Sequence, residues 1–206
     1  MSQENRRFAR VHMRMTEDTP FLAAHVVWPN EEASGLVDLS YKGMAVTKPA
    51  LFAIKKDMHV PLKVEFGGRY RFNVQVRIAW INADNVGFEI VSLPPEGHQA
   101  MNAFLNAKLV GAQMRHVQRR VIDPDQSFQH WFQGPESTNV FVYVDANLRI
   151  DRVTVQLLKS TVEFWRSGKT MAPDTETERQ ALLVLSQMET PGLPLEEFVT
   201  ALIHGD

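Results

Sequence analysis

Two short clusters in the first quarter of the chain hold side chains whose types and spacing suit recognition of an anion. The first is Arg6-Arg7-Phe8-Ala9-Arg10, with Arg14 beyond it and only Glu4 opposing these charges within the first fifteen residues. A guanidinium is a planar fork of donors that fits phosphate oxygens two at a time and stacks on flat rings. By itself such a run reads equally as a solvated basic tail. The second cluster is Asp38-Leu39-Ser40-Tyr41-Lys42-Gly43, where one strand-like segment ends and the next begins. A carboxylate, a hydroxyl and a glycine alternate there with other residues, so their polar groups can converge on one side. These are also the usual residues of a tight turn.

The remaining chemistry-bearing residues give little support to catalysis. His12, His25, His59, His98, His116, His130 and His204 are scattered, with no HExxH or other close ligand spacing. The chain has no cysteine, which excludes disulfides, thiolate nucleophiles and Cys-ligated metals. It also has no GxxxxGK[ST], GxGxxG or nucleophile-elbow motif. Asp123-Pro124-Asp125 and Glu196-Glu197 read as helix-start chemistry. The expectation is a protein that is not an enzyme and carries no metal or redox cofactor.

Positioning the two clusters is the task of a strand-rich segment. Residues from about 10 to 93 contain FLAAHVVW, SGLVDLS, GMAVTKPALFAI, VPLKVEF, YRFNVQVRIAWI and VGFEIVSL, six β-branched and aromatic runs with partial two-residue alternation. In the fifth run Phe72, Val74, Val76, Ile78 and Trp80 fall on one face, with Arg71, Asn73, Gln75 and Arg77 on the other. Close spacing and breaks such as Gly67-Gly68 predict a six-stranded antiparallel β-barrel over 1–98. After Pro94-Pro95 the apolar positions change to a helical period, predicting an amphipathic helix over 99–122. The remainder, 123–206, reads as a smaller α+β region: strands in VFVYVD, RIDRVTVQLL and TVEFWRSG, then helices in ETERQALLVLSQM and LPLEEFVTALI. The fold class is therefore α+β.

Taken jointly, Arg6-x-x-x-Arg10 and Asp38-x-Ser40-x-x-Gly43 resemble the signature of the PilZ family of cyclic di-GMP receptors, RxxxR followed by [DN]xSxxG, in order and in separation. Ala79-Trp80 and Val86-Gly87-Phe88-Glu89-Ile90 look like that family's later barrel strands, so the resemblance covers about residues 4 to 105. It implies a bacterial, cytoplasmic second-messenger receptor that binds cyclic di-GMP through Arg6, Arg7, Arg10, Asp38, Ser40 and Gly43. Gly87 and Trp80 would shape the pocket wall, or Trp80 would be ordinary barrel core. The ligand's chemistry suits these types. Arginines can fork onto guanine O6 and N7, pair with phosphate or stack on a base. A carboxylate at Asp38 can accept from guanine N1–H and the exocyclic amine, and Gly43 lets backbone come close. Ligand binding would draw the N-terminal segment across the barrel and relay the change to a partner protein, with 123–206 as effector or docking region.

Composition narrows the alternatives. The 206 residues are 44% hydrophobic and 22% charged, with a formal net charge of -2 and a pI near 6.4. That balance argues against a protein devoted to wrapping nucleic acid, although a barrel binding single strands through the basic tail is one alternative. Another is a ligand-independent adaptor with the same fold, using the helix MNAFLNAKLVGAQM as a partner surface. No stretch approaches the roughly 18 apolar residues of a membrane span.

Overall fold

Where β-branched and aromatic residues alternate with polar ones, the chain forms strands, and the first seven build one sheet. The computed structural model describes residues 9–13, 22–118, 128–166 and 175–204. It divides into two units, Met1–Asn106 and Ala107–Asp206. The first contains β1 (Val11–His12), β2 (Ala24–Val27), β3 (Ala33–Ser40), β4 (Gly43–Thr47), β5 (His59–Phe66), β6 (Tyr70–Ile81) and β7 (Asn85–Ser92). The sheet order is β1-β3-β2-β5-β6-β7-β4, and a further β3–β4 pairing closes β2 to β7 into a six-stranded antiparallel barrel. Closure removes the open sheet edges that would otherwise invite pairing with other chains. The predicted barrel is the observed one, with β1 added outside it along β3.

The interior is largely apolar, with Val26, Val46, Val64, Phe66, Val76 and Ile78 fully buried, and the buried Trp28 indole N–H donates to Ser34 Oγ at 2.9 Å. Helix α1 (Pro95–Ala112) follows the last barrel strand. Its first half buries Ala100, Met101, Phe104 and Leu105, and the Phe104 ring stacks on Phe66 at 4.5 Å between centroids. A large apolar side chain buried this way contributes about 1.5–3 kcal/mol.

Two β-bulges decide what the barrel shows to the outside. On β3 the pairing with β4 slips between Leu36 and Asp38. The extra residue, Val37, shifts the alternation by one, so Leu36 and Leu39 are both buried while Asp38 and Ser40 turn to the outer face. On β6 the pairing with β7 slips between Ile78 and Trp80. The expected common face of Phe72, Val74, Val76 and Ile78 holds, but Trp80 leaves it: Ile78 is 0% exposed and Trp80 39%. The inserted Ala79 is the cause.

The second unit holds β8 (Arg115–His116), β9 (His130–Gln133), β10 (Asn139–Val144), β11 (Ile150–Leu157), β12 (Ser160–Trp165), α2 (Glu176–Leu185) and α3 (Leu195–His204). The strands form an antiparallel sheet in the order β12-β11-β10-β9-β8. Its inner face is Phe132, Val140, Val142, Val153, Val155 and Phe164, all buried. A capping box starts α2: the Thr175 side chain accepts from the Glu178 N–H, and the Glu178 carboxylate accepts from the Thr175 N–H. The helix predicted over 99–122 starts earlier and stops at Ala112. Beyond it, Arg115 and His116 pair with Gln133 and Phe132 of β9. The helical pattern of the sequence there gives way to tertiary strand pairing.

Candidate ligand site on the outer face of the barrel

β1 is two residues long, and its register organises the site. Val11 faces Leu39 and His12 faces Asp38. Val11 and Leu39 are buried, so the residues flanking Val11, Arg10 and His12, lie on the outer side with Asp38. The Arg10 guanidinium donates from Nη1 to Asp38 Oδ1 at 2.9 Å, linking residues 28 apart in sequence. The pair is sheltered, with side-chain exposures of 28% and 11%. Such a charge-assisted bond is stronger than a neutral one, and it holds the end of the N-terminal segment against β3.

From Asp38 a row of facing residues crosses the barrel wall. Asp38 faces Ala45 on β4, Ala45 faces Gly87 on β7, and Gly87 faces Trp80 on β6. At the usual strand spacing, Asp38 and Gly87 are roughly 10 Å apart. The floor between them has almost no side-chain height. At the far side the Trp80 indole lies on Gly87: a Cβ built there would sit 2.0 Å from the indole Cε2. The row thus has a sheltered carboxylate–guanidinium pair at one end, a closely covered Ala45 between, and a half-exposed indole lying over Gly87 at the other.

The adjacent row explains Ser40 and Gly43. Ser40 is buried, and its hydroxyl donates to the Gly43 carbonyl at 3.0 Å, closing the turn between β3 and β4. A Cβ on Gly43 would fall 2.3 Å from the Phe88 carbonyl oxygen. Glycine is therefore needed here for β4 to approach β7. Next in the row come Glu89, facing Gly43, and Arg77, facing Glu89. Arg77 donates to Glu89 and, at 2.6 Å, to Asp57. Hydrogen bonds to Glu89 and Asp57 push the Arg77 guanidinium still further up, so it stays charged and occupied by two carboxylates.

Of the residues singled out in the sequence, Arg10, Asp38, Ser40, Gly43 and Trp80 share this outer face. Arg6, Arg7 and Arg14 lie outside the described residues. Strand β1 and the position of His12 were missed, because two residues are too few for an alternation to register. Only the hydrophobic Val11 between two polar residues hints at it. Among the described residues no group of three or more His, Asp or Glu side chains could hold a metal ion. Among them too, no helix is long and apolar enough to cross a membrane.

Fold and site together define a small closed antiparallel barrel with Arg10 and Asp38 paired on its outer face. The PilZ domain model matches residues 4–107, and the chain belongs to the PilZ domain family. Solved structures of similar shape include the Legionella protein Lpg0364, uncharacterized, at 13% identity, covering 46% of this chain and 92% of that one with a TM-score of 0.34. The PilZ domain of YcgR from Escherichia coli, solved with c-di-GMP, is 17% identical and covers 48% and 87% with a TM-score of 0.37. The PlzA protein of Borreliella burgdorferi, in complex with c-di-GMP, is 11% identical and covers 75% and 79% with a TM-score of 0.34. No curated protein matches the sequence.

Proposed function

We propose that this chain is a receptor for cyclic di-GMP rather than a catalyst, and that the ligand lies on the outer face of the barrel. The observation that carries the proposal is the meeting of Arg10 and Asp38 on one outer face, beside the Ser40–Gly43 turn and opposite an exposed indole. Asp38 accepts from guanine N1–H and the exocyclic amine. Arg10, released from Asp38, serves guanine O6 and N7 or a phosphate, and Arg6 and Arg7 supply further cations. Trp80, whose half-exposed indole lies over Gly87, offers a face on which a flat base can stack. Ser40 and Gly43 act mainly by holding the turn and the strand approach that present Asp38.

Charge-assisted hydrogen bonds contribute about 1.5–3 kcal/mol each. A few of them, less the cost of ordering the N-terminal segment, reach the roughly 8 kcal/mol of micromolar binding. Binding would draw that segment onto the outer face, and a partner protein would read the change through the C-terminal region.

Titration calorimetry on the full chain tests the proposal. The expected result is a micromolar Kd for cyclic di-GMP that weakens at least roughly tenfold in Arg10→Ala and in Asp38→Ala. An unmodified chain that does not bind would overturn it and favour the ligand-independent adaptor. Amide exchange in residues 1–15 should slow when ligand is added, and unchanged exchange would remove the ordering step alone.

A further inference from the structure

Resting on the receptor reading above, we propose that His12 is an additional ligand-contacting residue of the same site. Its imidazole donates to the O6/N7 edge of the guanine whose N1–H side is held by Asp38. Three observations lead there. His12 faces Asp38 directly across the β1–β3 pairing, and facing residues in an antiparallel sheet project to the same side with Cβ atoms about 4.5–5.5 Å apart. His12 is exposed, so its ring is available to a ligand. Finally, the next two positions across the wall from Asp38 are Ala45 and Gly87, which have no polar side-chain atoms. Among the described residues, Arg10 and His12, roughly 7 Å apart along the chain on the outer side of Val11, are two donors for a base edge close to Asp38.

The division of labour follows from the chemistry of guanine. Its N1–H and amine are donors that suit a carboxylate, while O6 and N7 are acceptors that a carboxylate repels. A guanine seated on Asp38 therefore needs a donor close by. Arg10 reaches Asp38 from a diagonal position, and once displaced its guanidinium can pair with a phosphate. His12, opposite Asp38, is left to serve the acceptor edge. Adenine carries an amine in place of O6, so a carboxylate beside an imidazole donor matches guanine and mismatches adenine.

The test is calorimetry on the full chain with cyclic di-GMP and cyclic di-AMP, comparing the unmodified protein with His12→Ala, His12→Phe and His12→Gln. Loss of one such bond predicts cyclic di-GMP binding about five- to tenfold weaker for His12→Ala and His12→Phe. His12→Gln, which keeps a donor, should stay within about threefold of the unmodified chain. The preference over cyclic di-AMP should narrow in the first two variants and not in the third. Because His12 is exposed, melting temperatures should be unchanged. Affinity within about twofold for His12→Ala, or full affinity for His12→Phe, would overturn the role of His12 while leaving the receptor reading intact. Failure of the unmodified chain to bind cyclic di-GMP would overturn the receptor reading itself.

Discussion

The barrel and the C-terminal sheet are both antiparallel and both bury a face of valines and phenylalanines, yet their outer faces are built on opposite plans. On the barrel, the bulges at Val37 and Ala79 turn Asp38, Ser40 and Trp80 outward around a floor of Ala45 and Gly87. On the C-terminal sheet, large side chains cover one another. Trp131 stacks near Phe141 at 6.1 Å, Phe128 sits on Phe141 at 4.8 Å, and the Arg152 guanidinium lies 3.7 Å from the Tyr143 ring and 4.6 Å from Trp165. Regular alternation over β9 and most of β10 and β11 produces that self-covered stripe. Interrupted alternation places Asp38 and Trp80 on the outer side of the barrel. The character of the outer face of a small barrel thus depends less on adding polar residues than on inserting one residue at the right place.

The units also differ in where they carry a buried cost. The described barrel core buries neutral groups, its polar pair being Trp28 Nε1–H and Ser34 Oγ, whereas the C-terminal unit buries Lys108 completely, its Nζ donating to Ser186 Oγ at 3.2 Å. Burial pushes the Lys108 ammonium down from 10.5 to about 7. Between these two values the unfolded chain binds a proton that the folded chain has released, so stability rises with pH by up to about 1.4 kcal/mol per unit. Below about 7 both states are protonated and the dependence flattens. The largest expected effect is therefore that Lys108→Met raises stability at pH 7 by a few kcal/mol, on the order of 3. The same change should remove the slope from pH 7 to pH 10.5 that urea unfolding, followed by exchange of α2 amides, reads in the unmodified chain. An unchanged slope would erase this contrast between the units.

Gly43→Ala comes next. Its Cβ would meet backbone at 2.3 Å, whereas a Cβ on Gly35 would come no closer than 3.9 Å, to Thr47 Oγ1. Thermal or urea unfolding should show Gly43→Ala destabilised by about 2–3 kcal/mol and Gly35→Ala changed by about 0.5 kcal/mol or less. Equal effects would mean that strand approach at the β4–β7 seam does not set the requirement for glycine. The smallest effect is on the self-covered face, where Arg152→Ala should cost about 1 kcal/mol through lost ring contacts and shift the emission of Trp165. A silent substitution would make that stripe an open surface.

Much of this molecule is legible in the sequence. Alternation in RFNVQVRIAW and its neighbours marks β2 to β7, and the same signal marks β10, β11 and β12. The helical period of ETERQALLVL marks α2. The short elements are not legible, because β1, β8 and β9 are two to four residues long and owe their existence to partners elsewhere in the chain. The end of α1 at Ala112 is similarly hidden: QMRHVQRR keeps a helical pattern, and the pull of β9 overrides it. At the site, the residue types were readable but their surroundings were not. Ser40 spends its proton on the Gly43 carbonyl, and Gly43 answers to Phe88, 45 residues further on.

What the sequence determined by itself is local: which residues can recognise an anion, the two-residue and 3.6-residue periods that select strand or helix, and the absence of any cysteine chemistry. Only the tertiary structure decided which way those residues face. A strand has period two, so one inserted residue reverses every side chain beyond it, and neither Val37 nor Ala79 bears a mark that announces the insertion. The same holds for the contact that joins Arg10 to Asp38. It spans 28 residues and accompanies the docking of β1 on β3, where Val11 is buried against Leu39.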